Sequence, residues 1–258
     1  MKYLALTLAL LFLALPGSAA NPAPAPAKPA NTANPANTAK LPDPKAPGLD
    51  GNARLKALID RVRAEQKQLK TLEANFTQTQ ESAMLVAPET STGSFSYAAP
   101  DRVRWEYVSP NPISVVVKGE EMTTWYHDLK RADRLKIGRY SNQVFKYLGA
   151  SGSMDTLVEY FTVRLTAPPK KGAPYQMEMI PRFSRIAKRL KSMTLWIDDE
   201  SYLPVRLRYV EADGDSTEYK FSDMKRNRAI TEDRFVLKIP KDVVTRVIDL
   251  GQQSKSER

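Results

Sequence analysis

The strongest constraint on the fold of this chain is a strict alternation of side chains between residues 102 and 108. The apolar positions are Val103, Trp105 and Tyr107, and the positions between them are Arg104 and Glu106. A period of two is typical of a β-strand with one buried face, and it is incompatible with an amphipathic helix over these residues. The run therefore predicts a sheet with one apolar side.

Similar short runs recur along the chain and are separated by turn signals such as Pro168-Pro169 and Asp213-Gly214. We predict further strands at residues 76–80, 91–97, 113–118, 121–127, 134–137, 161–166, 175–180, 191–197, 204–210, 217–221, 234–238 and 243–248. Many short strands at regular spacing predict an antiparallel sandwich or a strongly curved, barrel-like sheet.

Two segments have helical spacing instead. Residues 52–70 place Leu55, Leu58, Ile59, Val62 and Leu69 on one face, which predicts an amphipathic helix. Residues 141–160 carry two shorter apolar faces, made by Val144, Phe145 and Leu148 and by Met154, Leu157, Val158 and Phe161. We expect the opening helix and this inserted pair to cover one face or mouth of the sheet.

The N-terminus has the three parts of a secretory signal. Lys2 is basic, Leu4 to Leu15 is apolar, and Ser18-Ala19-Ala20 offers small residues for cleavage. The apolar run is shorter than the about 20 residues that a membrane-spanning helix needs. We predict that residues 1–20 are removed near Ala20 and that the mature protein is periplasmic or otherwise extracytoplasmic.

Composition divides the rest of the chain. Residues 21–49 consist mainly of Pro, Ala, Asn, Thr and Lys and predict a disordered, partly polyproline-like linker. Residues 50–250 hold the predicted strands and helices and form one domain, and residues 251–258 form a polar tail. The chain has no cysteine, which excludes disulfides, thiolate zinc sites and a lipid-modified N-terminal cysteine.

The chain has a formal net charge of +10. Such a balance is typical of a soluble basic surface, and it leaves open an attraction to anionic lipid headgroups or to an acidic partner. No nucleic-acid-binding motif accompanies it.

No catalytic set can be assembled from the sequence. His127 is the only histidine, and it follows a predicted strand without a recognisable acid–base partner. The acidic run Asp198-Asp199-Glu200 lies between two predicted strands, where acidic residues are ordinary turn formers. We therefore predict that the protein is not an enzyme and holds no metal or cofactor.

Large aromatic side chains are concentrated on the predicted strands, at Phe95, Tyr97, Trp105, Tyr107, Trp125, Tyr126 and Trp196. These residues fill an ordinary core in the simplest interpretation. In the alternative, they line a cavity that binds acyl chains. The residues alone do not separate a filled barrel from a hollow one.

The segment from Pro100 to Pro110, which contains Arg104-Trp-Glu-Tyr107, resembles a motif of the LolA family of periplasmic lipoprotein carriers. The flanking segments agree in order: Gly93-Ser-Phe95 precedes it and Val116 to Asp128 follows it. Leu195-Trp-Ile-Asp198 and Phe235 to Pro240 are similar to the C-terminal half of the family. The resemblance covers about residues 52–250.

This resemblance implies a mainly β fold with helices, namely an incomplete, half-open antiparallel β-barrel of about eleven strands with a helical lid over an apolar cavity. It implies a non-enzymatic carrier that takes lipoproteins by their acyl chains from an inner-membrane releasing transporter to an outer-membrane acceptor. We expect a monomer without a cofactor. The predicted cavity residues are Phe95, Tyr97, Val103, Trp105, Tyr107, Trp125 and Trp196, and the predicted lid residues are Val144, Phe145, Leu148, Met154 and Leu157.

The family often carries an arginine immediately before the motif proline, on a loop that governs lid closure. Here that position is Ala99, followed by Pro100, and Arg102 is the nearest candidate for the same latch. Two other functions stay open: a carrier of another lipid or glycolipid, and an envelope sensor of lipoproteins built on the same fold.

Overall fold

The computed structural model describes residues 41–137 and 158–249. Helix α1 spans Gly51–Gln68, close to the predicted 52–70. It begins where Asp50 accepts a hydrogen bond of 2.7 Å from the backbone N–H of Ala53, which satisfies one of the free donors of the first turn. Its buried side includes Leu58 and Val62. No helix in the described ranges is long and apolar enough to cross a membrane.

Within the described residues, twelve strands form a single sheet, as the alternating pattern predicted. Their bounds are β1 Thr71–Glu81, β2 Glu89–Ala98, β3 Arg102–Ser109, β4 Ile113–Lys118, β5 Glu121–Tyr126, β6 Arg131–Lys136, β7 Phe161–Thr166, β8 Tyr175–Pro181, β9 Leu190–Ile197, β10 Pro204–Glu211, β11 Ser216–Arg226 and β12 Val244–Asp249.

The strand order is β12-β6-β5-β4-β3-β2-β1-β11-β10-β9-β8-β7. All neighbours are antiparallel except β12 and β6, which run parallel. The sheet is open, because β12 and β7 lie at its two ends and do not pair with each other. The predicted mainly β, unclosed antiparallel fold is confirmed, with twelve strands in place of about eleven.

The sheet is strongly curved. Strands β3 and β11 are separated by β2 and β1, so they would lie about 14 Å apart in a flat sheet with strands about 4.8 Å apart. The ring centroids of Trp105 on β3 and Tyr219 on β11 are nevertheless only 5.6 Å apart. The face that carries these two rings is therefore concave, and we call it the concave face.

Helix α1 covers the part of the concave face formed by β7 to β10. Leu58 and Val62 are fully buried in a cluster with Tyr175, Met177 and Ile197. A second, short helix, α2 at Ser184–Ala187, connects β8 to β9. These helices leave the aromatic side chains of β1 to β3 and β11 in a separate cluster on the same sheet.

The strand predicted at residues 234–238 is wrong, because a 3-10 helix spans Glu232–Phe235 there. Phe235 is buried with Ala98 and Val116 on the face opposite the concave one. Arg234 donates hydrogen bonds of 3.0 Å to Ser96 Oγ and 3.1 Å to Ser94 Oγ. The side chains of Arg234 and Phe235 thus attach this segment to the sheet, in place of the backbone hydrogen bonds that a strand would form.

Part of the predicted linker contacts the domain. Pro44 is fully buried, and Lys45 Nζ lies 3.0 Å from the carboxylate of Asp199, which is 2% exposed. Pro44 and Lys45 therefore pack on the domain. The predicted signal peptide, the linker up to residue 40 and the tail from 251 fall outside the described residues.

We expect the Lys45→Met variant to be less stable than the parent at pH 7. The hydrogen bond from Lys45 holds the pKa of Asp199 below its ordinary value, so the ion pair stabilises the fold above about pH 4, the unfolded-state pKa of an aspartate. This contribution is lost as the pH falls through the lower folded pKa. Urea unfolding at pH 7 and at pH 2.5–3 measures it, and the difference between the proteins is expected to shrink at the acidic pH.

Lys56→Met is the matched control for this change. Lys56 Nζ lies 2.6 Å from Asp60, but the Lys56 side chain is 78% exposed, so solvent screens the pair. We expect a much smaller change in urea midpoint. Equal losses from the two substitutions would contradict a special role for the buried Asp199.

Candidate functional site

Six side chains on the concave face form one aromatic cluster, which comprises Phe76, Phe95, Trp105, Tyr107, Tyr219 and Phe221. Trp105 lies at its centre. Its ring centroid is 4.7 Å from that of Phe95, 4.9 Å from that of Phe76 and 5.9 Å from that of Phe221. Most of these pairs meet edge-on or tilted, which is the favourable geometry for aromatic rings.

Gly93 on β2 allows this cluster to form. It pairs with Phe76 on β1 and with Tyr107 on β3. A Cβ atom at Gly93 would lie 2.0 Å from the carbonyl oxygen of Glu106 and 2.7 Å from Cζ of Phe76. The Phe76 ring therefore lies across the bare backbone of Gly93, where any side chain would collide with it.

Neutral hydrogen-bonding groups border the cluster on the side of the β1–β2 hairpin. Tyr107 Oη donates a 2.7 Å hydrogen bond to Gln78 Oε1, and it lies 3.5 Å from Tyr219 Oη. Burial raises the pKa of Tyr107 and of Tyr219 well above the ordinary value of a tyrosine. Both phenols are consequently neutral donors across the physiological pH range.

The predicted cavity residues divide between the two faces of the sheet. The concave face carries Phe95, Tyr97, Val103, Trp105 and Tyr107. Trp125 pairs with Ser114 and Ala132, and Trp196 pairs with Gln176 and Arg206, which places both tryptophans on the opposite face. The structure therefore separates these two tryptophans from the other predicted cavity residues.

Trp125 belongs to a polar cluster on that opposite face. Its ring stacks on His127 with the centroids 3.8 Å apart. His127 Nε2 lies 2.8 Å from Ser114 Oγ, which donates a 2.7 Å hydrogen bond to Glu106. Ser114 is fully buried, so no substrate can reach its hydroxyl. The cluster ties β3 and β4 to the turn after β5.

The predicted latch lies in the turn between β2 and β3. Ala99 precedes Pro100 through a cis peptide bond and donates a 2.8 Å backbone hydrogen bond to Lys70. Arg102 forms an ion pair with Glu232 and lies over the ring of Phe235, so its partners are on the face opposite the cluster. The predicted lid residues, Val144, Phe145, Leu148, Met154 and Leu157, lie outside the described residues.

Three members of the cluster were not among the predicted cavity residues, namely Phe76, Tyr219 and Phe221. Their strands alternate less clearly because polar side chains occupy both faces of β1 and β11. The register supplies the missing information, because Phe76 pairs with Phe221, and Gln78 with Tyr219. The signal in the sequence was a large aromatic residue among polar neighbours: Phe76 on β1, and Tyr219 and Phe221 two residues apart on β11.

Comparison with known proteins yields both carriers and related folds. An outer-membrane lipoprotein carrier protein of Pseudomonas putida is 24% identical over 183 residues, which cover 71% of this chain and 84% of the relative. A LolA superfamily protein of Nitrosomonas europaea has a TM-score of 0.36 and 8% identity, covering 70% of this chain and 97% of its own.

The crystal structure of MucB in complex with MucA(peri) has a TM-score of 0.44 and 15% identity, covering 75% of this chain and 62% of its own. The sequence profile described as outer membrane lipoprotein carrier protein LolA matches residues 67–238. That match includes the whole aromatic cluster, and the chain belongs to the LolA family.

Proposed function

We propose that this protein is a periplasmic carrier that binds the acyl chains of lipoproteins on its concave face and transfers lipoproteins from the inner to the outer membrane. The observation that carries the proposal is the aromatic cluster, a continuous group of six rings without a charged member, in which Trp105 and Phe221 are partly exposed and the other four are buried. Membership of a lipoprotein carrier family supports the choice of cargo.

The physical basis is burial of hydrocarbon. Each methylene that leaves water contributes about 0.8 kcal/mol, so a few chains laid across the rings bind without any charge or cofactor. Trp105 is only half-buried and is thus available to such a ligand. The lid at 141–160, export after cleavage near Ala20, a releasing transporter and an outer-membrane acceptor belong to the same proposal.

A single-tryptophan variant tests the proposal directly. The chain has three tryptophans, of which only Trp105 lies on the concave face. In the Trp125→Phe/Trp196→Phe variant, we expect a lipopeptide with brominated acyl chains to quench the fluorescence of Trp105, because bromine quenches only near contact. The titration gives the dissociation constant.

The Trp105→Phe variant is the matched control, because it keeps Trp125 and Trp196 on the other face. We expect binding with little quenching there. Quenching in the control but not of Trp105 would place the ligand on the opposite face and would contradict the proposal. The absence of binding to both proteins would contradict it as well.

A further inference from the structure

The side chains of the concave face change from aromatic to hydrogen-bonding along the strands. On two strands a hydrogen-bonding group follows a ring by two residues towards the β1–β2 hairpin: Gln78 follows Phe76 on β1, and the hydroxyl of Tyr107 lies beyond Trp105 on β3. On the antiparallel β11, Thr217 takes the corresponding place beside Tyr219. Strand residues two apart are separated by about 7 Å, so these groups border the aromatic cluster directly.

Gln78 has unused hydrogen-bonding capacity. Its side chain is 4% exposed, and its Oε1 accepts the 2.7 Å hydrogen bond from Tyr107. Its Nε2 has no hydrogen-bond partner within residues 41–137 and 158–249. Water reaches this nitrogen in the free protein, because it is not one of the fully enclosed unpartnered atoms of the described residues, and a ligand can replace that water at the edge of the aromatic cluster. An acceptor from outside the chain fits this position.

The surroundings of Gln78 select the kind of acceptor. Tyr107 and Tyr219 are neutral, and neither supplies a charge that could balance a free fatty-acid carboxylate. Burying an unpaired carboxylate is costly, whereas an ester or amide carbonyl is a neutral acceptor that an amide N–H satisfies. In an acylated lipid, that carbonyl stands where the hydrocarbon chain meets the head group.

We propose that Gln78 is a specificity-determining residue whose amide N–H donates a hydrogen bond to the carbonyl that joins an acyl chain to its head group. This inference rests on the proposed function. It sets the direction of the ligand: the hydrocarbon lies over Phe76, Trp105 and Phe95 towards the β2–β3 turn, and the head group leaves past the β1–β2 hairpin. Tyr107 is a positioning residue that holds the amide.

Two ligands that differ only in this carbonyl test the inference. One is a dipalmitoyl lipopeptide with ester-linked chains, and the other is its ether-linked dihexadecyl analogue. Binding is measured by Trp105 fluorescence in the mature Trp125→Phe/Trp196→Phe protein. We expect Gln78→Met to weaken binding of the ester ligand about fivefold, the usual effect of one lost hydrogen bond. Binding of the ether ligand is expected to change less than about twofold.

Two further variants complete the design. Gln176→Met makes the same change on the opposite face, where Gln176 pairs with Trp196, and is expected to leave both dissociation constants unchanged. Tyr107→Phe removes the hydroxyl that holds Gln78, and we expect a smaller loss that is again confined to the ester ligand. This second variant decides the matter where Gln78→Met does not fold.

The outcomes separate the two proposals. Equal weakening for both ligands, or none, shows that Gln78 only packs, and overturns this inference while the carrier function stands. If the parent protein binds neither ligand, the carrier function fails and the inference fails with it.

Discussion

The Gly93→Ala variant is expected to lose about 3 kcal/mol of its free energy of unfolding, at the upper end of the usual cost of an overpacked site. The added methyl group meets the carbonyl oxygen of Glu106 at 2.0 Å and Cζ of Phe76 at 2.7 Å. The ring can turn away, but the carbonyl belongs to the backbone of the neighbouring strand. We therefore expect β2 and β3 to separate at this position while the Phe76 ring moves aside.

Urea unfolding monitored by circular dichroism measures this loss. Gly51→Ala is the matched control, because nothing lies within 4 Å of a Cβ atom there and the residue begins helix α1. Alanine is the better helix former by about 1 kcal/mol in a helix interior, so we expect the control to be neutral or slightly more stable. A Gly93→Ala protein as stable as the parent would show that the cluster tolerates a wider strand separation.

The second large effect is on ligand binding. We expect Trp105→Asp to weaken binding of an acylated lipopeptide by at least about a hundredfold, because a carboxylate among rings must stay hydrated and water then replaces the acyl chain. Trp105 contacts Phe76, Phe95 and Phe221, which lie on three neighbouring strands of the concave face. The substitution therefore removes the centre of the apolar surface as well as adding a charge.

Isothermal titration calorimetry measures this change without a tryptophan probe. Trp196→Asp is the control, because Trp196 lies on the opposite face. The guanidinium of Arg206 is 4.0 Å from the Trp196 ring centroid, so an aspartate at this position can form an ion pair with Arg206. We expect that variant to bind as the parent does. Binding that survives Trp105→Asp, with the protein folded by circular dichroism, would remove the cluster from the site.

The sequence determines the face of a strand only where the two sides differ in polarity. In β3, Arg104 and Glu106 mark the polar side, so the predicted orientation of Trp105 agrees with the structure. Around Trp125 and Trp196, the neighbours Tyr126 and Leu195 are themselves apolar, and the pattern offers no such mark. Only the pairing with Ser114 and Arg206 shows that these tryptophans point away from the cluster.

Cross-strand partners were equally invisible in the sequence. The contact between Gly93 and the ring of Phe76 depends on the register of β1 and β2, which is set by the hairpin and by the whole sheet. Residues 234–238 alternate like a strand, yet Phe235 buries its ring against Ala98 and Val116 instead of joining the sheet. Both outcomes depend on contacts between residues far apart in the sequence, and the local periodicity of a segment carries no information about such contacts.

The open edge of the sheet has a consequence for the range of cargo. A closed barrel has its diameter fixed by the number and stagger of its strands, and a larger guest would have to break hydrogen bonds in the wall. Here β7 and β12 are not joined, so the sheet can flatten or tighten while every ladder stays intact. For the proposed carrier, guests with two or three acyl chains would then differ in binding free energy only by small changes in strand twist.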